Sequence, residues 1–448
     1  MFYFLIAGIS LFVNSLLILS TNLNIYPELY FFPWLVLKGL VPYKDFFDHH
    51  GFLLYYILAP LTTDSSFYKF QLFNIFVESF KLIIILLILK RTTSKVGYGI
   101  GAFLSVLVGF FIVENNFWYD ELITVVLLFT YFLLTTSKSK FLYLSVGILI
   151  AIASMIKPNT AILILPIYFL YKDYYLIYSF MLSWIIVLIL FLINDMFMQF
   201  FYSVIGFNSY LFKSYHPIGF SEPIFIAFSF ILFMFTLFYI IKSKQREITY
   251  LSFIFVISSI FFFGTAIVRE HYVPLMTFLL ILISQAINTK LVFFRTLFII
   301  FIILFGIDAS YEVIKHPTYL NNNRIPWQSD SRIIPITKAI NKLKLENKII
   351  YAFTNYSQIY MLINQLPPTY FPYKFPLIEN YIPMYENQVI KDLKESNVNI
   401  AVVYKPDMEK MEYNNLKQIY NYIKKNFIKF GDFNDYELYV KQKNNYFL

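Results

Sequence analysis

Long apolar runs recur along this chain and constrain it more than any single motif. A run of about 20 apolar residues is long enough to cross a bilayer core roughly 30 Å thick. Such runs lie near residues 2–20, 70–89, 96–113, 121–136, 141–157, 159–171, 175–194, 223–241, 248–268, 272–288 and 292–309. They predict a polytopic α-helical membrane protein with about eleven transmembrane helices, the pair around Lys157 being short. Only 14% of the 448 residues are charged, against roughly 25% in a soluble globular chain. The first run lacks a basic leader and a small-residue cleavage pattern, so it reads as a retained span.

The net charge of +9 looks at first like a nucleic-acid signal. Its placement argues otherwise. Lys90, Arg91 and Lys95 follow the second span, Lys138 and Lys140 the fourth, and Lys172 the sixth. Lys242, Lys244 and Arg246 follow the eighth, and Lys290 the tenth. Lys and Arg mark cytoplasmic loops. The N-terminus is therefore predicted inside, the segment after Asp308 outside, and no nucleic acid is expected as a partner. The chain has no cysteine, which excludes disulfides and thiolate metal sites.

The opposite loops hold the unusual chemistry. They carry Glu28, Asp45, Asp48, His49 and His50, then Asp120 and Glu121, then Arg269, Glu270 and His271. The first of them runs from about 21 to 69 and contains two short apolar stretches, "LYFFPWLVLKG" and "GFLLYYILAPL". Each is too short to span and is predicted as a helix lying in the interface or re-entering. Glu78 and Lys81 lie inside the second span at a spacing that pairs them on one helix face. External tyrosines such as Tyr202, Tyr210 and Tyr215 are placed to border an acceptor cleft.

From about residue 310 the composition becomes mixed. "KIIYAF" and "NIAVVY" read as buried strands, and "PITKAINKLK", "NQVIKDLKES" and "NNLKQIYNYIKKNF" as amphipathic helices. The expected organisation is a membrane domain over 1–309 and a small extracytoplasmic α/β domain over 310–448. No glycine-rich phosphate loop follows either strand, and no nucleotide fingerprint occurs in the chain.

The order "YPELYFFPWLVLKGLVPYKDFFDHHG" resembles the first external loop of the GT-C superfamily of integral-membrane glycosyltransferases. That superfamily includes protein O-mannosyltransferases and lipid A aminoarabinose transferases. "GLVPYKDFF" fits its G-x-x-P-Y-x-D segment. "GILIAIASMIKPNTAILILP" is similar to its short span pair with a lysine near the turn, and "REHYVPLMTF" to its late external turn. Many members carry Asp in the first acidic position. Here the acid is a lone Glu28 between Pro27 and Leu29, which leaves Asp45 and Asp48 as competitors for its role.

The resemblance implies transfer of a sugar from a polyprenyl-phosphate donor to a lipid, glycan or protein acceptor at the extracytoplasmic face of the cell membrane. It implies inversion by a single displacement and membrane lipids as surroundings. The chemistry needs a carboxylate to take the acceptor proton and cations to neutralise the departing phosphate. Glu28 is the first candidate base and Asp45 the second. Lys157 and Arg269 are candidates for the phosphate, with His271 and Tyr272 adding donors, and Asp120, Glu121, Asp48 and His49 lining the substrates. No cofactor is called for. Asp48, His49 and His50 offer ligand types suited to a divalent cation, although adjacent histidines in one loop rarely complete a metal site alone. A lipid or oligosaccharide transporter or flippase, or a polysaccharide polymerase or ligase, would also explain the spans. The first would show repeated halves and polar helices near the midplane, and the others a very large late loop.

Overall fold

The computed structural model describes residues 1–20, 23–63, 68–113, 116–136, 138–214, 246–263, 271–286, 333–343, 347–354, 357–372, 378–382, 384–406 and 417–441. The predicted spans 223–241 and 292–309 lie outside them, as does the boundary at 309/310.

The first helix, α1 (Phe2–Ser20), leads into β1 (Asn24–Ile25), α2 (Glu28–Leu37), α3 (Leu53–Leu58) and a 3-10 turn at Ala59–Thr62. The bundle continues with α4 (Tyr68–Thr92), α5 (Lys95–Val113), β2 (Asn116–Phe117), α6 (Tyr119–Leu134) and α7 (Lys140–Ile156). A 3-10 turn (Pro158–Leu163) then precedes α8 (Ile164–Tyr171), α9 (Tyr174–Ile193) and α10 (Phe197–Phe200). A π-helical turn at Phe201–Phe207 runs into α11 (Asn208–Ser214), and α12 (Arg246–Ile260) and α13 (Tyr272–Ala286) complete the described bundle. Three helices, within Phe2–Leu19, Tyr68–Thr92 and Tyr174–Ile193, are long and apolar enough to cross a membrane; most of the others are shorter apolar helices.

Local sequence sets the helix boundaries. Ser139 caps α7 by accepting the Leu142 N–H at 3.2 Å, and Asp173 caps α9 by accepting the Tyr175 N–H at 2.9 Å. Lys172, at φ 53°, ends α8 in the left-handed region immediately before that second cap. α7 and α9 cross at Gly147, where a Cβ would lie 2.0 Å from Ser179 Oγ and 2.3 Å from the Leu176 carbonyl. Only a residue without a side chain permits that approach.

Among the described residues, Lys90, Arg91, Lys138 and Lys140 gather at one end of the bundle, that of the N-terminus. Lys90 lies over the rings of Tyr3 and Phe4, Arg91 over Phe132, and Lys140 over Tyr175. Lys138 donates to Glu247 at 2.7 Å.

The first of the two short apolar stretches, expected to lie in the interface or to re-enter, forms α2 and is enclosed by protein. Residues Leu29 to Leu35 are all buried, against α3, the 59–62 turn and residues 358–362. Phe31 stacks on Tyr360 at 6.0 Å between ring centroids. A helix apolar on every side has no polar face to offer water, so burial is its stable place.

The C-terminal unit is built on a four-stranded sheet ordered β3–β4–β6–β5, from β3 (Ile350–Phe353), β4 (Ile400–Tyr404), β5 (Phe427–Phe433) and β6 (Tyr436–Lys441). β3 and β4 are parallel, and the two remaining pairings are antiparallel. The strands expected at 350–353 and 400–404 are present and buried throughout. Helices Ile333–Lys342, Tyr385–Glu395 and Lys417–Asn426 match the three amphipathic segments. The β5–β6 hairpin is an addition to the sequence reading. A register shift between Lys429 and Gly431 breaks its alternation, and with it the period-2 signal by which strands are read.

Candidate functional site

The site forms where two helix N-termini meet at the end of the bundle opposite the basic residues. β1 and β2 pair in parallel, Asn24 with Asn116 and Ile25 with Phe117. Each strand is followed at once by a helix whose first turn is acidic, Glu28 on α2 and Asp120 with Glu121 on α6. The N-terminal end of a helix favours negative charge. The ring of Tyr26 packs edge-on against Trp118 at 4.5 Å, closing the junction.

Glu28 carries a buried carboxylate oxygen, Oε2, that has no hydrogen-bond partner among the described residues. Burial pushes its pKa up; its own backbone hydrogen bond and nearby His50 oppose that shift, and the Asp48 charge adds to it.

Asp48 is fully buried and collects donors. The His50 backbone N–H donates to Oδ2 at 3.0 Å, the His50 ring Nδ1 lies 3.0 Å from Oδ1, and the Tyr55 hydroxyl donates to Oδ2. Burial opposes its charge, but His50, His49 and the Tyr55 hydrogen bond outweigh burial and pull its pKa down to about 2. His49 moves in the other direction for a histidine. Burial and the neighbouring His50 push its pKa down to about 3 against the pull of Asp48, so His49 is neutral at ordinary pH.

The His50 ring is held on three sides. It stacks on Tyr119 at 4.6 Å, packs at a tilt against His49 at 4.1 Å, and lies edge-on to Trp118 at 6.2 Å. The Tyr119 hydroxyl shares a 3.0 Å hydrogen bond with that of Tyr55, so α6, α3 and the Asp48 loop are joined by one chain of polar contacts. Gly51 allows the loop to approach α7. A Cβ there would stand 2.3 Å from the carbonyl oxygens of both Met155 and Ile156.

That contact brings the Asp48 loop beside a second polar cluster. Lys157, directly after α7, donates to both oxygens of buried Asp120 at 2.9 and 3.1 Å. His271 Nδ1 lies 2.7 Å from Asp120 Oδ2 and 3.3 Å from Lys157 Nζ. Trp118 stands between the two clusters, 6.5 Å from the His271 ring and 6.2 Å from that of His50.

The sequence-predicted residues thus separate into three groups. Glu28, Asp48, His49, Asp120, Lys157 and His271 come together, and Tyr272 is buried at the start of α13. Asp45 does not join them. It is exposed and accepts the Val41 N–H at 2.7 Å, holding the turn of its own loop. Glu121 faces away into the bundle, where Lys81 donates to it and, at 2.7 Å, to Glu78. The expected intrahelical pair is therefore part of a buried trio that ties α4 to α6. Arg269 lies outside the described residues. Tyr55, Tyr119 and the orienting contact of His50 were not read from sequence. The sequence signal that could have found Tyr119 is its place directly before Asp120, at the head of an apolar run.

Asp48, His49 and His50 each offer a ligand atom, and the three atoms lie within 4.8 Å of one another. A divalent cation is chemically compatible with such a set. The Asp48–His50 contact has a second consequence. A carboxylate holding one ring nitrogen fixes the orientation of the imidazole and directs the other nitrogen away from itself.

No protein-family model matches the chain, and no curated protein matches it by sequence. Solved structures do match it. Archaeal oligosaccharyltransferase AglB from Archaeoglobus fulgidus, in complex with an inhibitory peptide and a dolichol-phosphate, superposes with a TM-score of 0.56 at 11% identity, covering 100% of this chain and 75% of that one. The A. fulgidus oligosaccharyltransferase tethered to an acceptor peptide containing the NVT sequon gives a TM-score of 0.54 at 11% identity, covering 98% and 74%. Its apo form gives 0.54 at 12%, covering 99% and 75%. These proteins are GT-C superfamily membrane glycosyltransferases, and the fold implied by the resemblance in the first loop is the fold observed.

Proposed function

We propose that this protein is a membrane glycosyltransferase that moves a sugar or glycan from a polyprenyl-phosphate-linked donor to an acceptor at the extracytoplasmic face. The observation that carries the reading is that the β1–β2 pairing and the Tyr26–Trp118 contact bring the helix start bearing buried Glu28 beside the one bearing the Asp120–Lys157–His271 cluster, at one end of the bundle. The matched structures hold a dolichol-phosphate in one case and an acceptor peptide in another, which favours a lipid-linked donor and a protein acceptor here. The boundary between membrane and C-terminal domains near 310, and the placement of the latter outside, belong to the same proposal.

In this reading the acceptor nucleophile attacks the anomeric carbon, the bond from that carbon to the phosphate oxygen breaks, and the configuration inverts. Glu28 takes the acceptor proton, and its raised pKa makes it a better base than a solvated carboxylate. The departing phosphate needs a cation. Lys157, which donates to both oxygens of Asp120 and lies 3.3 Å from His271 Nδ1, is the candidate for that role. Asp120 holds both Lys157 and His271 in place while it waits.

The test is incubation of the purified protein with a panel of polyprenyl-phosphate sugars, following loss of donor lipid. Glu28→Gln keeps the shape of the side chain but cannot accept a proton, so turnover falls about 10²–10⁴-fold with donor binding retained. Near-normal turnover in Glu28→Gln alongside a dead Asp48→Asn would transfer the base to Asp48. If no sugar is consumed by the wild type, the reading fails.

A further inference from the structure

Tyr43 is the most constrained residue of the first loop. It is fully buried and adopts φ 67°, a left-handed conformation that a bulky side chain rarely takes. Such a residue persists only where its surroundings hold it. Four elements do so. Its N–H donates to the Phe46 carbonyl at 2.9 Å. Its ring packs edge-on against Phe191 of α9 and Phe200 of α10, at 6.1 and 5.4 Å. Its carbonyl accepts the Tyr370 hydroxyl at 2.8 Å, and its own hydroxyl donates to the His50 carbonyl at 2.5 Å.

Tyr370 belongs to a strap, residues 368–372, on the C-terminal unit. The strap is anchored on the helix Tyr385–Glu395 and the residue after it. Asp392 accepts the Tyr370 N–H at 3.2 Å, and the Ser396 hydroxyl donates to the Pro368 carbonyl at 2.9 Å. It grips the loop at two adjacent points. Besides the bond to Tyr43, the Tyr370 carbonyl accepts the Phe47 N–H at 2.8 Å. Phe47 precedes Asp48, and its ring sits between Phe207 and Phe371 at 5.6 and 5.4 Å.

We propose that Tyr43 is a positioning residue through which the 368–372 strap of the C-terminal unit sets His50 and Asp48 against Glu28. The path is continuous: strap to Tyr43 carbonyl, Tyr43 hydroxyl to His50 carbonyl, His50 ring to Asp48. The site is then complete only when the C-terminal unit is docked on the loop. The catalytic side of this inference rests on the glycosyltransferase reading; the mechanical side does not.

The test uses the full-length protein in detergent or nanodiscs. Tyr370→Phe removes one hydroxyl and keeps the ring and the backbone bond to Phe47. Tyr43→Phe removes only the grip on His50. Two readouts are taken: hydrogen exchange over 44–56, and steady-state transfer from a polyprenyl-phosphate sugar. Both variants are expected to exchange faster over 44–56. Both are expected to lower kcat about ten-fold, the usual worth of one lost hydrogen bond, with donor KM within two-fold of wild type. A merely structural contact would lower thermal stability and leave the kcat of the folded protein unchanged. Unchanged exchange in both variants overturns the proposal, as does faster exchange with unchanged kcat. Should Tyr43→Phe fail to fold, Tyr370→Phe decides alone. If the wild type transfers no sugar, the glycosyltransferase reading has failed, and the exchange result still judges whether the strap holds the loop.

Discussion

Gly51→Ala is the sharpest perturbation that the geometry offers. The added methyl would lie 2.3 Å from two carbonyl oxygens, those of Met155 and Ile156. Ordinary contact between heavy atoms is about 3.5 Å, so the loop or the end of α7 must retreat by roughly 1 Å. Neither atom is the tip of a flexible side chain; both are backbone, at the last turn of a packed helix. Overpacking of this kind costs about 1–3 kcal/mol. The functional cost is larger, because the displaced segment lies between His50 on one side and the α7 end that carries Lys157 on the other. A misplacement of about 1 Å in a reacting array can cost about 10²-fold in rate. The expected outcome is therefore a modest loss of thermal stability with a disproportionate loss of turnover. Differential scanning fluorimetry and the donor-consumption assay measure the two. Wild-type melting together with turnover within two-fold of wild type would refute the close approach of the loop to α7, and with it the joining of the two polar clusters.

Three further outcomes follow from the same contacts. Asp48 is held ionised, its pKa drawn from 3.8 down to about 2, so its contribution is present above pH 4 and lost as pH falls towards 2. The shift corresponds to about 2 kcal/mol; the stability of Asp48→Asn, followed by chemical denaturation from pH 5 to 2, should lack that part of the wild-type decline, and parallel curves would contradict the assignment. Lys157→Met strands buried Asp120 with His271 alone, at a cost of roughly 3–5 kcal/mol, and weakens binding of a polyprenyl phosphate. Adding Asp120→Asn should recover about 1–3 kcal/mol of the stability lost, and strict additivity would mean that the pair is not coupled. Reporter fusions after Arg91 and Lys140 should report cytoplasm, given the basic residues gathered at that end; an external signal from either would invert the orientation.

The fold was legible in the sequence wherever the signal was local. Apolar runs gave the helices, and Glu78 and Lys81 announced their pairing by spacing alone. The site was legible only in its parts. Asp120, Lys157 and His271 stand 37 and 114 residues apart along the chain, and no periodicity links them. Glu121 looked like an equal of Asp120 because adjacent residues share a motif. On a helix they point about 100° apart, and so one reaches Lys157 while the other reaches Lys81. Asp45 was drawn into the site by the motif around it, yet "VPYKD" is also good turn chemistry, and the turn won. The strap could not be foreseen at all: Tyr370 meets Tyr43 across 327 residues.

The division of charge between the two clusters bears on how the proposed reaction would be ordered. On one side of Trp118 stand Asp48, held as an anion, and Glu28, whose burial resists becoming one. Keeping Asp48 ionised raises the cost of ionising Glu28, and His50 offsets part of that cost. Glu28 is thereby kept ready to bind a proton, which is the property a base needs. On the other side Asp120 neutralises Lys157 in advance. An unpaired buried ammonium would be costly in the absence of donor, and Asp120 removes that cost. A donor phosphate arriving beside Lys157 then meets an ammonium already held in place by Asp120, with the His271 ring nitrogen 3.3 Å from it on the same carboxylate. Lys157→Ala should therefore weaken binding of a polyprenyl phosphate about ten-fold or more, the worth of a lost hydrogen bond to a charged group. His271→Gln, which keeps a donor for Asp120, should weaken it less. Equal losses in the two variants, or none in either, would break the link between the Asp120 cluster and the phosphate.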